Sequence, residues 1–386
     1  MGTPAGRVGR AGARRAILAR IASWGVRPSG MVDANLGRGS TVQFVIDMEV
    51  TNRCNAKCHF CPRDRTPHQG LMPPEVFEAG LQRAIDYRSA IAEPAGDSVR
   101  VSLCGLGEPL LNRRVVDYCR QARAEGFSVV MSSNGSLLDE RHSAALLEAG
   151  LQQILVNVGE EGDDYEEIYQ LPFERTLENV VRFNEMSGGA CEVIVVLVDH
   201  RGDPEHIDRM RRYWADHGIE QAISYGIMNR GGSLFVDHMQ YEDYPQLAEA
   251  RARLAAGVGT PLCGAPFGYL FVGYDGQYYL CCSDWEKQAP LGSVFDKSFV
   301  DVAQAKLDLV VSRNPVCRTC NLDPINRLTE ELRAEARGDL PSGSADQVLA
   351  KITTDNGVVE GVLRQLGLEL PVAPPTTRRL IPVRTV

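Results

Sequence analysis

Apolar residues along this chain gather in short runs, and the segments between the runs carry apolar residues at helical spacing. The runs at 42–50, 99–103, 128–131, 153–158, 191–198 and 222–228 predict six strands. Helices are predicted between and after them, among others at 74 to about 91, 113–125, 139–149 and 204–217. Pro73 and Pro74 open the first of these, at a position whose N–H has no helical partner. Strands alternating with helices give a parallel sheet with crossover connections. Six such β/α units predict a partial (β/α)6 barrel of the α/β class over 41–232.

The pattern changes on either side. Residues 1–40 are rich in Arg, Gly and Ala; 16–24 has the spacing of one amphipathic helix, expected as a surface helix or frayed extension. Residues 233–258 read as a linker and a helix, and a small Cys-rich α+β module follows at 259–325. Within it, 271–280 reads as a β-hairpin with Asp275-Gly276 at its turn. The C-terminal part, 326–386, starts within an exposed helix predicted at about 323–337 and has a Gly/Ser-containing break at 338–344. A further helix is predicted to about 366, and the Pro- and Arg-containing tail from 371 is expected to be disordered.

Composition sets bounds. At 386 residues two domains are the prior, and 44% hydrophobic with 24% charged residues is an ordinary globular balance. A net charge of −9 speaks against general binding to nucleic acid. No apolar stretch approaches the ~18 residues of a membrane span. Arg7, Arg10, Arg14 and Arg15 are not followed by the apolar core and cleavage site of a secretory signal. Eleven cysteines in such a chain point to metal ligation rather than disulfides, and a reducing cytoplasm is the expected location.

Three of those cysteines, Cys54, Cys58 and Cys61, fall within eight residues at C-x3-C-x2-C spacing. They sit on the loop leaving the C-terminal end of the first strand, where α/β folds place ligands. A tight loop can wrap three thiolates round one corner of an iron–sulfur cube. With no fourth Cys nearby, one iron stays open to the amino and carboxylate groups of a small molecule. Zinc held by the three Cys with His59 or His68 is the alternative, although structural zinc sites usually come as two short pairs. A second set, Cys263, Cys281 and the pair Cys317 and Cys320, lies in the C-terminal module. The hairpin is expected to bring Cys263 and Cys281 together, and the pair to close the set. Four thiolates suit either zinc or a fully ligated [4Fe–4S] cluster. Cys282 is left as a spare thiol. Cys104, Cys119 and Cys191 fall in strand or helix patterns and read as core, with Cys104 ending the second strand at the barrel mouth.

The first loop resembles the signature of the radical S-adenosylmethionine (SAM) superfamily, C-x3-C-x-aromatic-C, with Phe60 at the aromatic position that packs near adenine. The resemblance implies that the open iron chelates the methionine part of SAM, and that an electron from the cluster cleaves SAM to a 5′-deoxyadenosyl radical. Gly105-Leu106-Gly107-Glu108 resembles the family's G-G-E motif, in which Glu108 would hold the SAM amino group; Leu106 replaces the first glycine, and Gly107 is kept. Ser132-Ser133-Asn134-Gly135 resembles the Ser/Thr-Asn-Gly segment beside SAM, which implicates Ser133 and Asn134. Asn157, ending the fourth strand, is a candidate for the ribose. The second set resembles the twitch module, the short form of the SPASM domain, and no Cys follows Cys320 to build another cluster. Two [4Fe–4S] clusters, one binding SAM and one auxiliary, are the implied cofactors.

In layout the chain resembles the radical SAM dehydrogenases of aminoglycoside pathways. That implies hydrogen abstraction from a carbinol carbon of a sugar or aminocyclitol, deprotonation of its hydroxyl and electron transfer to the auxiliary cluster, giving a ketone in antibiotic biosynthesis. Arg230, after the sixth strand, is the candidate hydrogen-bonding partner, or base through a relay. Alternatives are redox-neutral epimerisation with Cys282 or Cys104 returning a hydrogen atom, modification of a ribosomal peptide, and a non-enzymatic iron–sulfur or zinc scaffold. The scaffold reading leaves Glu108 and Asn134 unexplained. The expected partners are a small-molecule substrate and an external electron donor such as flavodoxin or ferredoxin, with no nucleic acid and no membrane.

Overall fold

The computed structural model describes residues 43–95, 97–234 and 244–370; the expected helix at 16–24 and the tail from 371 lie outside the described residues. Strands form where the apolar runs predict them: β1 (Gln43–Glu49), β2 (Ser98–Cys104), β3 (Ser128–Ser133), β4 (Gln153–Asn157), β5 (Glu192–Asp199) and β6 (Ala222–Gly226). Each pairs in parallel with the next. Successive side chains point to opposite faces of a sheet. Ile46 and Met48 of β1, Val101 and Leu103 of β2, Ile154 and Val156 of β4, and Val195 and Leu197 of β5 join one core with the crossover helices. On the other face Val130, Leu155, Ile194 and Val196 form a small separate core backed by Ile223 and Tyr225. Burial on both faces is what makes such strands read as nearly continuous apolar runs.

The crossovers are α1 (Pro74–Tyr87), α2 (Val115–Ala124), α3 (Glu140–Glu148), α4 (Gly162–Tyr169), α5 (Phe173–Ser187) and α6 (Pro204–Asp216). α1 runs on through a π-helical turn, Arg88–Ala92, which accounts for its expected end. α3 and α6 start where the Asp139 and Asp203 carboxylates accept backbone N–H groups of the first turn.

The sheet does not stop at β1. β7 (Tyr269–Val272) runs parallel to it on the side away from β2, and β8 (Gln277–Tyr279) and β9 (Pro290–Ser293) follow antiparallel. The strand order is β6-β5-β4-β3-β2-β1-β7-β8-β9, so the Cys-rich module extends the barrel sheet. The predicted hairpin is present, and its turn needs Gly276 at φ 80°. The longer helices of this part are α7 (Pro245–Gly257), α8 (Phe299–Val311), α9 (Pro324–Arg337) and α10 (Ser344–Gln365). The exposed helix expected at 323–337 is instead half buried: Ile325, Leu328 and Leu332 of α9 pack with Leu247 and Leu254 of α7 and Ile352 of α10. Among the described residues no helix is long and apolar enough to cross a membrane.

Candidate active site between two cysteine loops

The loop carrying Cys54, Cys58 and Cys61 leaves the end of β1 and is closed at its base. Asn52 donates to His68 O at 2.6 Å and accepts from Gly70 N at 2.9 Å, and Thr51 Oγ1 donates to Gly70 O at 2.7 Å. Within it Cys61 N–H donates to Cys58 O at 3.1 Å, and the Arg63 guanidinium donates to Cys54 O at 2.9 Å. The three thiols are half-buried and lie in one another's electrostatic field. Burial pushes the Cys54 thiol up to about 11 and the Cys58 thiol further still. Thiols raised in this way ionise when a cationic centre supplies the opposite charge. Phe60 stacks on His200 at 5.9 Å and meets Tyr169 edge-on at 5.5 Å; the exposed His59 ring also leans on His200, at 4.9 Å. His68 is exposed.

Two neighbouring strand ends brace this loop. Glu108 is buried: its Oε1 accepts from Leu110 N at 3.1 Å and Ser133 Oγ at 2.9 Å, and its Oε2 from Asn134 N at 2.7 Å. The carboxylate implied to take an ammonium thus ties the end of β2 to the end of β3, leaving Oε2 one further acceptor position. Burial outweighs these donors and pushes its carboxyl up to about 7. Gly107 is needed for a protein contact: a Cβ there would lie 2.3 Å from Arg53 O. Leu106, in place of the family glycine, packs with Val45, Phe271 and Cys281. Asn134 reaches into the thiol loop, donating to Asn55 Oδ1 at 3.0 Å and toward Cys54 Sγ at 3.8 Å. Asn157 donates to Ser132 Oγ at 3.1 Å, one strand along.

The thiols of the second set lie in one another's electrostatic field. Cys281, Cys317 and Cys320 are buried and Cys263 is half-buried. The field at Cys263 includes Cys320 and Cys317, and that at Cys281 includes Cys320 and Cys263. Asn326, not foreseen from sequence, holds the pair's loop by donating to Cys317 O at 3.2 Å, Arg318 O at 2.9 Å and Cys320 O at 2.9 Å. Its placement follows from Asp323, which caps α9 by accepting from Ile325 N and Asn326 N. Cys282 is buried, and its N–H donates to Tyr269 Oη at 2.6 Å. Cys119 and Cys191 are core, as read.

Arg230 stands between the two loops. Its guanidinium lies 5.6 Å from the Trp285 ring centroid and contributes to the field at Cys61. The backbone around it is clamped to the Cys317–Cys320 loop. Asn229 Nδ2 donates to Thr319 O at 2.5 Å, Asn229 and Asn321 exchange N–H···Oδ1 bonds at 3.1 and 3.2 Å, and Thr319 Oγ1 donates to Gly231 O at 2.7 Å. Sequence reading found Arg230 and missed this clamp, because its two halves lie about 90 residues apart. Below, the Cys104 thiol donates to Asp47 Oδ1 at 3.2 Å, and Glu49 Oε2 pairs with Lys287 at 2.7 Å; Asp47, Glu49 and Cys104 are buried.

Among the described residues no three metal-binding side chains could share a single ion. A cube is a different fit, since each of its irons takes its own thiolate. Family models match the chain in two places: the radical SAM superfamily over residues 48–213, and the iron–sulfur cluster-binding SPASM domain over 263–321. The chain is 28% identical over 156 residues to the tungsten-containing aldehyde ferredoxin oxidoreductase cofactor-modifying protein of Pyrococcus furiosus (40% of this chain, 38% of that one). It is also 28% identical over 185 residues to the GTP 3′,8-cyclase of Aquifex aeolicus (45% and 54%). It thus spans about half the length or less of these curated relatives. The structure of SuiB from Streptococcus suis bound to S-adenosylmethionine superposes with TM-score 0.52 at 15% identity, over 76% of this chain and 75% of that one, a likeness of fold. The chain thus carries a radical SAM domain with a SPASM domain behind it, and its cofactors are a SAM-binding [4Fe–4S] cluster and an auxiliary iron–sulfur cluster.

Proposed function

We propose that this enzyme oxidises a carbinol carbon of a sugar or aminocyclitol to a ketone, in the biosynthesis of an aminoglycoside-type product. The observation that supports this reading is the second thiol set: Cys263, Cys281, Cys317 and Cys320 lie in one another's field with Arg230 and Trp285 beside them. A cluster held by four thiolates has no open iron for a substrate, and its simplest use is to take an electron. Bound, SAM and its cluster supply hydrogen-atom abstraction, and the auxiliary cluster supplies the electron acceptor.

The chain's own residues do the rest. Cys54, Cys58 and Cys61 would hold the first cluster, with Asn134 directing its amide toward Cys54 Sγ. Phe60, backed by His200 and Tyr169, offers an aromatic face for adenine. Arg230 donates to the substrate oxygen, its permanent charge favouring the carbonyl product as it forms. An external donor such as flavodoxin or ferredoxin delivers the starting electron.

The test is anaerobic incubation of reconstituted enzyme with SAM, flavodoxin and separate panels of aminocyclitols, glycosides and peptides, followed by mass spectrometry. The expected product, from a polyol, is two hydrogens lighter than its substrate, with about one SAM spent per product. A second reading, epimerisation, is favoured by the buried Cys282, which contributes to the field at Cys104. It predicts an isomeric product carrying one deuterium from heavy water. Turnover of peptides alone would replace both readings with peptide modification.

A further inference from the structure

Ketone formation needs a group that takes the hydroxyl proton, and Arg230 is not one, since a guanidinium stays protonated in proteins. Asp47 lies mid-way along β1, level with Ser102 of β2 and Phe271 of β7, on the face turned away from the crossover helices. It is wholly buried. Its Oδ1 accepts the Cys104 thiol at 3.2 Å; its Oδ2 makes no well-formed hydrogen bond among the described residues, with the Ser102 hydroxyl close enough to lower the carboxyl's pKa.

The neighbouring titratable groups already carry protein partners, although Glu49 keeps its Oε1 unpartnered. Glu49 Oε2 is held by Lys287 at 2.7 Å and by Tyr274 N–H at 3.2 Å. Glu108 accepts three protein donors. Lys306, the cation that contributes to the field at Asp47, sends its Nζ instead to Pro266 O at 2.8 Å and Tyr269 O at 2.9 Å. The Tyr269 hydroxyl is taken by Cys282 N–H.

Asp47 Oδ2 also has company. Glu49 Oε1, Ser102 Oγ, Trp285 Nε1 and Arg230 Nε are buried without partners among the described residues. Val45, Phe271, Leu106, Cys282 and Trp285 pack as one cluster, which joins the face of Asp47 to the ring beside Arg230. Folded proteins leave few polar atoms in this condition. Comprising both donors and acceptors, and linked through this apolar cluster, they are hydrogen-bonding positions for a polar ligand.

We propose that Asp47 is a catalytic residue whose Oδ2 accepts the substrate's hydroxyl proton, while Arg230 donates to the same substrate oxygen and Ser102 Oγ and Trp285 Nε1 hold the substrate's other polar groups. The inference rests on the dehydrogenase reading. The step balances: the carbon's hydrogen leaves as an atom at the expense of SAM, the O–H proton goes to Asp47, one electron goes to the auxiliary cluster, and C=O remains. Burial pushes the Asp47 carboxyl up to about 7, which suits a group that exchanges protons near neutral pH.

The test compares wild-type holoenzyme with Asp47→Asn and Asp47→Glu. The probes are 2-deoxystreptamine, glucosamine and myo-inositol, with ketone, 5′-deoxyadenosine and calorimetric binding measured separately. On any probe that the wild type oxidises, Asp47→Asn should lose about 100-fold in ketone formation, the scale of a lost general base. Its 5′-deoxyadenosine formation and probe binding should fall by less than about 10-fold, so that the two products uncouple. Asp47→Glu, which keeps a carboxylate, should recover part of the ketone, and iron content reports folding. Ketone at the wild-type rate from Asp47→Asn, parallel loss of ketone and 5′-deoxyadenosine, or no recovery in a folded Asp47→Glu would overturn the role of Asp47 and leave the dehydrogenase reading standing. A wild type that oxidises none of the probes would overturn that reading, and the role with it.

Discussion

Asp47 makes the ligand-free protein less stable than it need be. Its folded pKa is raised above the unfolded 3.8 to about 7, first by burial. The fold therefore favours the protonated form. The stability linked to that form is fully present below about 3.8 and is lost as pH rises through about 7. Ligand-free Asp47→Asn should gain on the order of 1–4 kcal/mol at pH 8 and little at pH 4, read from urea unfolding at both pH values. A variant destabilised at pH 8 would show that the carboxylate has a partner in solution. Asn134 works in the opposite sense. Its side chain holds Asn55, Ser136 and the edge of Cys54 together. Asn134→Ala should cost about 1–3 kcal/mol and weaken SAM binding, with the iron content of the second thiol set unchanged. Iron loss from both sets would mean that Asn134 supports the whole fold rather than the first loop.

The loops differ in how they are held. The first is braced by β2 and β3 through Glu108 and Asn134. The second is braced by α9 through Asn326, and by the end of β6 through Asn229 and Asn321. Asn321→Ala removes the side-chain bonds to Asn229 N and Ile227 O. It should loosen the auxiliary site, seen as reduced iron at the second set and a shifted electron paramagnetic resonance signal, while the first cluster still cleaves SAM. Unchanged auxiliary iron and signal would leave the clamp without a functional consequence. At this scale strands and helices were legible, because apolar period and caps such as Asp139 and Asp203 mark them locally. The thiol loops were legible because their spacing is short. The bracing was not: Asn229 and Asn321 have no periodicity, and only the fold brings them together. Asp47 was visible as a polar break within the first apolar run, but alternation alone does not tell which face of a doubly buried strand turns away from the crossover helices.

One nine-stranded sheet among the described residues carries the first thiol loop after β1 and Cys281 after β8, because β7 pairs with β1. The half-barrel was predictable from six β/α repeats; the continuity into the Cys-rich module was not, since the pairing spans about 220 residues of sequence. The buried face of α9 was missed for a related reason, its partners α7 and α10 lying on either side in sequence. We propose that this one frame holds two separate iron–sulfur sites and that the first cleaves SAM. Metal analysis of the reconstituted wild type and of the triple variant Cys54→Ala, Cys58→Ala, Cys61→Ala, with 5′-deoxyadenosine measured on the same samples, tests it most directly. About eight irons are expected in the wild type, two cubes' worth, and about half of that in the variant, with no 5′-deoxyadenosine. Stoichiometric zinc at the second set, or a triple variant that still cleaves SAM, would contradict it.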